Sequence, residues 1–133
     1  MAGSVSSIAW NEESEAILKA TITWLSDASD GHVTHSFDYV DRERIRGYYL
    51  FFMITNPGAT APTTLYDITL LDSDGIDMAG GVLANRSATA SEEAIPLLAS
   101  GVSGDRIVNG ALDVTITAAG NAKIGELKLW FRK

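Results

Sequence analysis

The alternation of apolar and polar residues predicts strands along most of this chain. From Ala16 to Leu25 apolar residues occupy every second position, which is typical of a strand with one buried face. The same two-residue period returns in later segments, and turn-forming residues separate them. The sequence therefore predicts a series of short antiparallel strands, and the clearest later ones are 33–39, 65–71, 112–118 and 123–131.

One segment, Tyr48 to Ile54, has no polar position on either side of the two-residue repeat. A strand of this kind needs cover on both faces, so the pattern predicts a central strand. The segment is also far too short to cross a bilayer as a helix. Phe52 is predicted to be a core residue, and its truncation to alanine is expected to cost about 3–5 kcal/mol if it is fully buried.

These patterns predict an all-β fold, an antiparallel β-sandwich of jelly-roll or immunoglobulin-like type, with a small β-barrel as the alternative closure. We expect one domain over residues 16–133. Residues 1–15 are small and polar apart from Ile8 and Trp10 and are predicted to form an N-terminal arm. The predicted core is Leu18, Ile22, Trp24, Phe37, Leu50, Phe52, Ile54, Ile68, Leu70, Val114, Ile116, Leu127 and Leu129.

Composition narrows the possible partners. Seventeen acidic against ten basic residues give a net charge of −7, and binding to nucleic acid needs a basic face, so no nucleic acid is expected. The chain has no cysteine, which excludes disulfides, thiolate nucleophiles and sulfur-ligated metal. No secretory signal and no long apolar segment are visible, so we expect a soluble protein made in a cytoplasm, with no membrane partner.

A turn rich in carboxylates is the one candidate for a metal site. Asp72, Asp74 and Asp77 surround Gly75, and calcium is bound by clustered oxygens on turns of this kind. The helix-loop-helix calcium pattern also needs a distal glutamate, which is missing here. The competing interpretation is an acidic hairpin tip, which the Asp-Gly pair favours.

The sequence contains no recognisable catalytic motif. The usual bases for nucleophilic catalysis, His32 and His35, lie in no known signature, and His35 falls on the apolar side of its strand. We therefore predict no catalytic residue, no cofactor and no enzyme. Two alternatives stay open: a carbohydrate-binding module that would use Trp10, Trp24 and Trp130, and a small hydrolase.

Two features predict a protein interface. In the final strand, Trp130 and Ile124 fall on the side opposite the leucines, so they point away from the predicted core side or toward a second layer or partner. Trp10 is expected to pack on a neighbouring subunit or on the edge of its own domain. The predicted interface is Trp10, Ile124 and Trp130, with Arg42, Arg44 and Arg46 as polar contacts at its rim.

Two long segments resemble small proteins encoded among the virion genes of tailed phages and prophages. The first runs from Pro62 to Met78 and continues from Gly80 to Ser87, and the second runs from Thr115 to Gly125. The resemblance covers about half of the chain and consists mainly of strand and turn patterns. It brings no catalytic residue with it.

The resemblance implies a non-enzymatic virion structural protein, namely a capsid decoration protein or a component of the head-tail junction or tail. Such a protein would be made in the host cytoplasm and be located in the virion, with phage capsid or tail proteins as partners. Repeated contacts in a homo-oligomer would multiply a weak individual affinity. The resemblance implies a trimer, because decoration proteins often occupy three-fold positions.

Overall fold

The computed structural model describes residues 3–133 and confirms an all-β antiparallel fold. Two sheets face each other. The elements are β1 (Ser4–Glu12), β2 (Ile17–Leu25), β3 (Val33–Ser36), α1 (Tyr39–Ile45), β4 (Tyr49–Pro57), β5 (Asp67–Leu71), β6 (Glu92–Ala94), β7 (Arg106–Ile107), β8 (Asp113–Thr117) and β9 (Ile124–Arg132). The larger sheet has the strand order β1-β2-β9-β4-β6, with β7 also paired to β4, and the smaller sheet has the order β3-β8-β5.

The core lies between the two sheets and follows the predicted alternation. In β2, alternate residues from Leu18 to Trp24 are buried, and the residues that pair with them in β9 are buried as well. The ring of Trp24 packs against that of Tyr66, with centroids 5.6 Å apart. Trp24 pairs with Gly125, where a Cβ would clash with the indole ring, so the glycine makes room for the tryptophan.

Eleven of the thirteen predicted core residues are buried, and the exceptions are Phe52 and Ile54. The register of β4 against β9 shifts between Leu50 and Phe52, which marks a β-bulge. After the bulge, Met53 and Thr55 point inward, so Phe52 and Ile54 lie on the outer face and are half-buried. The outer face of this strand is therefore only partly covered within the chain, and the prediction that Phe52 and Ile54 are core residues was wrong.

The predicted N-terminal arm at residues 1–15 is largely an edge strand of the larger sheet. β1 pairs with β2 from Ser4 opposite Leu25 to Glu12 opposite Leu18, with a register shift between Val5 and Ser7. This shift interrupts the two-residue period, and for that reason the sequence pattern did not indicate a strand. Residues 1 and 2, which belong to the predicted arm, lie outside the described residues.

The connection from β3 into β4 is the helix α1. The Asp38 carboxylate caps its first turn by accepting a hydrogen bond from the Asp41 amide at 2.9 Å. Between residues 79 and 110 the chain forms two short strands, β6 and β7. Residues 3–133 include no helix with the length and apolar character needed to cross a membrane.

Candidate docking surface on the larger sheet

The outer face of the larger sheet, which points away from the smaller sheet, carries an aromatic pair. Phe52 of β4 lies opposite Trp130 of β9, with ring centroids 5.2 Å apart and planes inclined by 57°. Lys19, which pairs with Trp130 from the other side, places its Nζ 5.6 Å from the centroid of the indole ring. The three side chains form one row across β2, β9 and β4.

Neighbouring rows extend this apolar surface. On one side, Ile54 lies between Lys128 of β9 and Glu93 of β6. On the other side, Tyr49 pairs with Ile107 of β7, and these two side chains are 40% and 51% exposed. We call the whole apolar surface the outer patch, and it comprises Tyr49, Phe51, Phe52, Ile54, Ile95, Ile107 and Trp130.

A hollow of about 310 Å³ opens beside Phe52 at the edge of the outer patch, lined also by Glu93, Ala94, Ile95 and Ser103. It forms because β6 ends at Ala94 and β7 begins only at Arg106, which leaves the edge of β4 uncovered around its bulge. The hollow therefore lies on the side of Phe52 opposite to Trp130.

A buried arginine fixes the chain that leads into β6. Arg86 is 6% exposed, donates from Nη1 to the carbonyl of Val82 at 2.6 Å, and pairs through Nη2 with Glu92 at 3.2 Å. The Glu92 carboxylate also accepts from the amide of Ser87 at 2.6 Å. Glu92 faces inward next to Glu93, so this anchor helps to hold Glu93 at the hollow.

The charges on this face nearly cancel. Lys19, Lys128 and Arg132 project from it, and each pairs with an acidic side chain, namely Glu13 at 3.0 Å, Glu126 at 3.6 Å and Asp105 respectively. With Glu93, the face therefore has three basic and four acidic groups, an excess of one negative charge on a chain of net charge −7. Most of the acidic excess lies elsewhere on the molecule.

The predicted interface residues do not form one surface. Trp130 belongs to the outer patch, whereas Ile124 lies at the far end of β9, where its carbonyl accepts from the Gly58 amide at 2.9 Å. Trp10 packs within its own domain against Phe37 and Phe131, with centroids 6.1 and 6.4 Å away. Its Nε1 donates to Asp41 at 3.0 Å.

The three predicted rim arginines lie around α1 and not beside Trp130. Arg44 covers the Trp10 ring, with its Cζ 5.4 Å from the centroid. Arg46 is paired with Glu43 at 2.7 Å, and Arg42 is half-buried within the helix. These arginines therefore belong to a different region from the outer patch, because the chain leaves the sheet between β3 and β4.

The proposed calcium ligands bind backbone amides of their own hairpin. Asp72 accepts from the amides of Asp74 and Ile76, both at 2.9 Å. Asp77 accepts from Leu70 and Ala79 at 3.0 Å and from Gly81 at 2.9 Å. Within residues 3–133 no group of three His, Cys, Asp or Glu side chains could hold a metal ion. The geometry is that of an acidic hairpin tip.

The two candidate bases are close in sequence, with His35 on β3 and His32 directly before that strand. His35 is half-buried with its ring 6.2 Å from that of Phe37, and His32 is exposed.

Burial raises the pKa of Tyr66, whose hydroxyl lies inside the sandwich. Hydrogen bonds from Ser29 lower the pKa of Asp27 to about 2, and Asp27 lies in an exposed turn.

Sequence reasoning placed Phe52 and Ile54 in the core and did not assign Glu93 to the interface. Alternation indicates that β2 and β9 are strands, but it does not assign their pairing, which places Lys19 next to Trp130. The position of Phe52 depends on the bulge, and an entirely apolar segment contains no polar residue that would reveal such a shift. The hollow depends in turn on where β6 ends and β7 begins, and neither strand has a regular pattern of apolar and polar residues.

Comparisons with known proteins add little to this geometry. No family model matches the chain, and no curated protein matches it either. Among solved structures, the chain is similar to a cupin domain from Bordetella pertussis at 12% identity, with a TM-score of 0.34. That similarity covers 96% of this chain and 93% of the cupin chain. A TM-score at this level carries no argument about function.

Proposed function

We propose that this chain is a non-enzymatic structural protein of a tailed-phage virion, a capsid decoration protein or a head-tail or tail component. In this role it self-associates and docks on the virion. The observation that carries the proposal is the outer patch, an aromatic and aliphatic surface on which Tyr49, Ile95 and Ile107 are exposed and the remaining side chains are half-buried. The phage resemblance supplies the setting.

The outer patch has the composition of a protein contact. Interfaces are enriched in aromatic side chains, and contiguous exposed apolar surface on a soluble domain commonly marks a binding site. Trp130, Phe52 and Tyr49 supply the aromatic part, and ion-paired lysine and arginine side chains surround them. The arrangement is that of an apolar centre with a polar rim.

The described residues offer little support for catalysis. Nucleophilic chemistry requires a base within hydrogen-bond reach of a serine or threonine, and within residues 3–133 no hydrogen bond joins either histidine ring to such a group. The carboxylates of the acidic hairpin accept from backbone amides. A structural role therefore accounts for more of the geometry than a small hydrolase does.

The carbohydrate-binding alternative is less well supported by the aromatic geometry. A sugar ring stacks on an open aromatic face, but Lys19 and Phe52 already lie against Trp130. Trp24 is completely buried, and Trp10 packs inside the domain. The tryptophans consequently do not line one binding platform.

The test of the virion role uses the particles themselves. Tailed-phage particles should be purified from cells that carry the gene and analysed by mass spectrometry, with particles from a deletion strain as the control. We expect the chain in stoichiometric amounts in the first preparation, and altered assembly or lower thermal stability in the second. If the purified particles lack the chain and deletion changes nothing, the virion role is wrong.

A further inference from the structure

We propose that the outer patch packs against the same patch of a second copy of this chain, around a two-fold axis that runs along β4. This inference rests on the self-association in the proposed function, and it specifies the surface and the symmetry. Three observations carry it: the order of residues across the sheet, the hollow beside Phe52, and the charge of the face.

The row of residues that contains Ile54 can pair with the same row of a second copy, because its two ends carry opposite charges. Lys128 and Glu93 flank Ile54 on opposite sides. A two-fold axis parallel to β4 in the contact plane places each row opposite the same row of the second copy, with left and right exchanged. Lys128 of each copy then faces Glu93 of the other, and two ion pairs form by symmetry.

The neighbouring row is complementary in shape. Trp130 lies on one side of Phe52, and the hollow lined by Phe52, Ala94 and Ile95 lies on the other. The same exchange of left and right places the indole of Trp130 over the hollow of the second copy. Buried tryptophans that enter a pocket are frequent centres of binding energy.

The charge distribution permits this contact between two acidic chains. Two chains of net charge −7 repel each other, but the outer face carries an excess of only one negative charge. A nucleic acid would need a basic face instead. Sheets also pack face to face at about 10 Å with nearly aligned strands, and an axis along β4 preserves that alignment.

The symmetry differs from the trimer that the phage resemblance implies. A three-fold ring needs two different surfaces that meet head to tail, whereas a two-fold contact uses one self-complementary surface. The rows around Ile54 and Phe52 have the second property. We therefore expect a dimer as the unit formed through this face.

The test is charge exchange measured by sedimentation velocity over micromolar concentrations. Glu93→Lys and Lys128→Glu each place like charges opposite each other twice, so each should raise the dimer Kd at least about tenfold. The double variant restores opposite charges and should return most of the affinity. Trp130→Ala should weaken the dimer at least about tenfold.

Matched controls come from an exposed ion pair outside the face. Glu43→Lys and Arg46→Glu change the net charge by the same amounts, and neither residue belongs to the outer patch. They should leave the dimer nearly unchanged. Circular dichroism of every variant establishes that the fold is retained.

The outcomes separate this inference from the proposed function. If the charge reversals leave the dimer Kd unchanged, or if the protein forms trimers, the two-fold contact is wrong but self-association is retained. A wild-type monomer at all concentrations overturns both the contact and the self-association, while the particle analysis still decides the virion role. Binding of a glycan that is lost with Trp130→Ala, without dimerisation, overturns the inference in favour of the carbohydrate-binding alternative.

Discussion

The two faces of the larger sheet are formed by the same strands, but their side chains are buried to different extents and by different contacts. On the inner face, Leu127, Leu129 and Phe131 of β9 are completely buried against the smaller sheet. On the outer face, Lys128 and Trp130 of the same strand are half-buried, and each contacts side chains of neighbouring strands. Packing volume limits the inner positions, whereas pairing across strands defines the outer ones.

This difference separates stability from association. An inner side chain contributes to the free energy of unfolding in every state of the protein, because it is buried within one chain. An outer aromatic contributes part of its burial within the chain and the remainder only when a partner covers it. Substitutions at the two faces should therefore differ in whether their effects depend on protein concentration.

The largest effect is expected at the inner face. Phe131→Ala removes a ring that is 0% exposed and should lower the free energy of unfolding by about 3–5 kcal/mol. Urea unfolding monitored by circular dichroism gives the value. A loss below about 1 kcal/mol would contradict the burial of this position.

Gly125→Ala tests the tightness of the inner face. A Cβ at this position would clash with the Trp24 indole, so the substitution should cost about 1–3 kcal/mol through forced displacement of the ring. Glu126→Ala, one residue further on the outer face, is the control and should cost less. If urea unfolding gives the same loss of unfolding free energy for both variants, the inner face is no more tightly packed than the outer face.

Phe52→Ala tests the outer face. Because Phe52 is half-buried and paired with Trp130, its truncation should cost the isolated monomer about 1–2 kcal/mol, less than expected for a core residue. The loss should grow with protein concentration, because the proposed dimer would add stability to the wild type. If the free energy of unfolding of the monomer falls by about 3–5 kcal/mol, Phe52 behaves as a core residue and its assignment to the outer face is wrong.

The smallest effect concerns a turn that belongs to neither face. Hydrogen bonds from Ser29 lower the pKa of Asp27 from its ordinary value of 3.8 to about 2. The ionised carboxylate therefore stabilises the fold above about pH 4, and this contribution is lost as the pH falls through 2. Melting temperatures of the wild type and Asp27→Asn should differ at pH 5 and converge near pH 2.

The inner face was largely predictable from sequence, and the outer face was not. Residues such as Ile22 and Leu127 alternate with polar neighbours, so one rule assigns both the strand and its buried side. In β4 the residues on both sides of the strand are apolar. The bulge next to Phe52 therefore changes which residues point inward, and nothing in the composition of the segment indicates this change. Trp130 was assigned to the correct side because Lys128 and Glu126 share it.

The outer patch could not be predicted from local sequence patterns, because it depends on pairing between strands that are far apart in the chain. Trp10 and Trp130 look alike in sequence, but a bulge in β1 directs Trp10 inward against Phe37 and Phe131. Glu93 reaches the outer patch only because β6 pairs with β4 across nearly forty positions of the chain. No local period encodes such a pairing, since it depends on the closure of the whole sheet.

The most direct test of the two-fold contact is a distance between two copies. The chain lacks cysteine, so Thr21→Cys provides a single site for a nitroxide label on the outer face, in the same row as Lys128. Thr21 lies two strands from β4, and sheets about 10 Å apart related by the proposed axis bring the two Thr21 Cα atoms to roughly 20 Å. Thr115→Cys, on the smaller sheet, is the control and should give a distance beyond about 30 Å.

Pulsed electron paramagnetic resonance on the dimer measures both distances. The account predicts a short distance for the Thr21 label, a clearly longer one for the Thr115 label, and loss of both with Trp130→Ala at low concentration. A short distance for Thr115 with a long one for Thr21 would place the contact on the smaller sheet, and it would contradict the assignment of the outer patch as the docking surface.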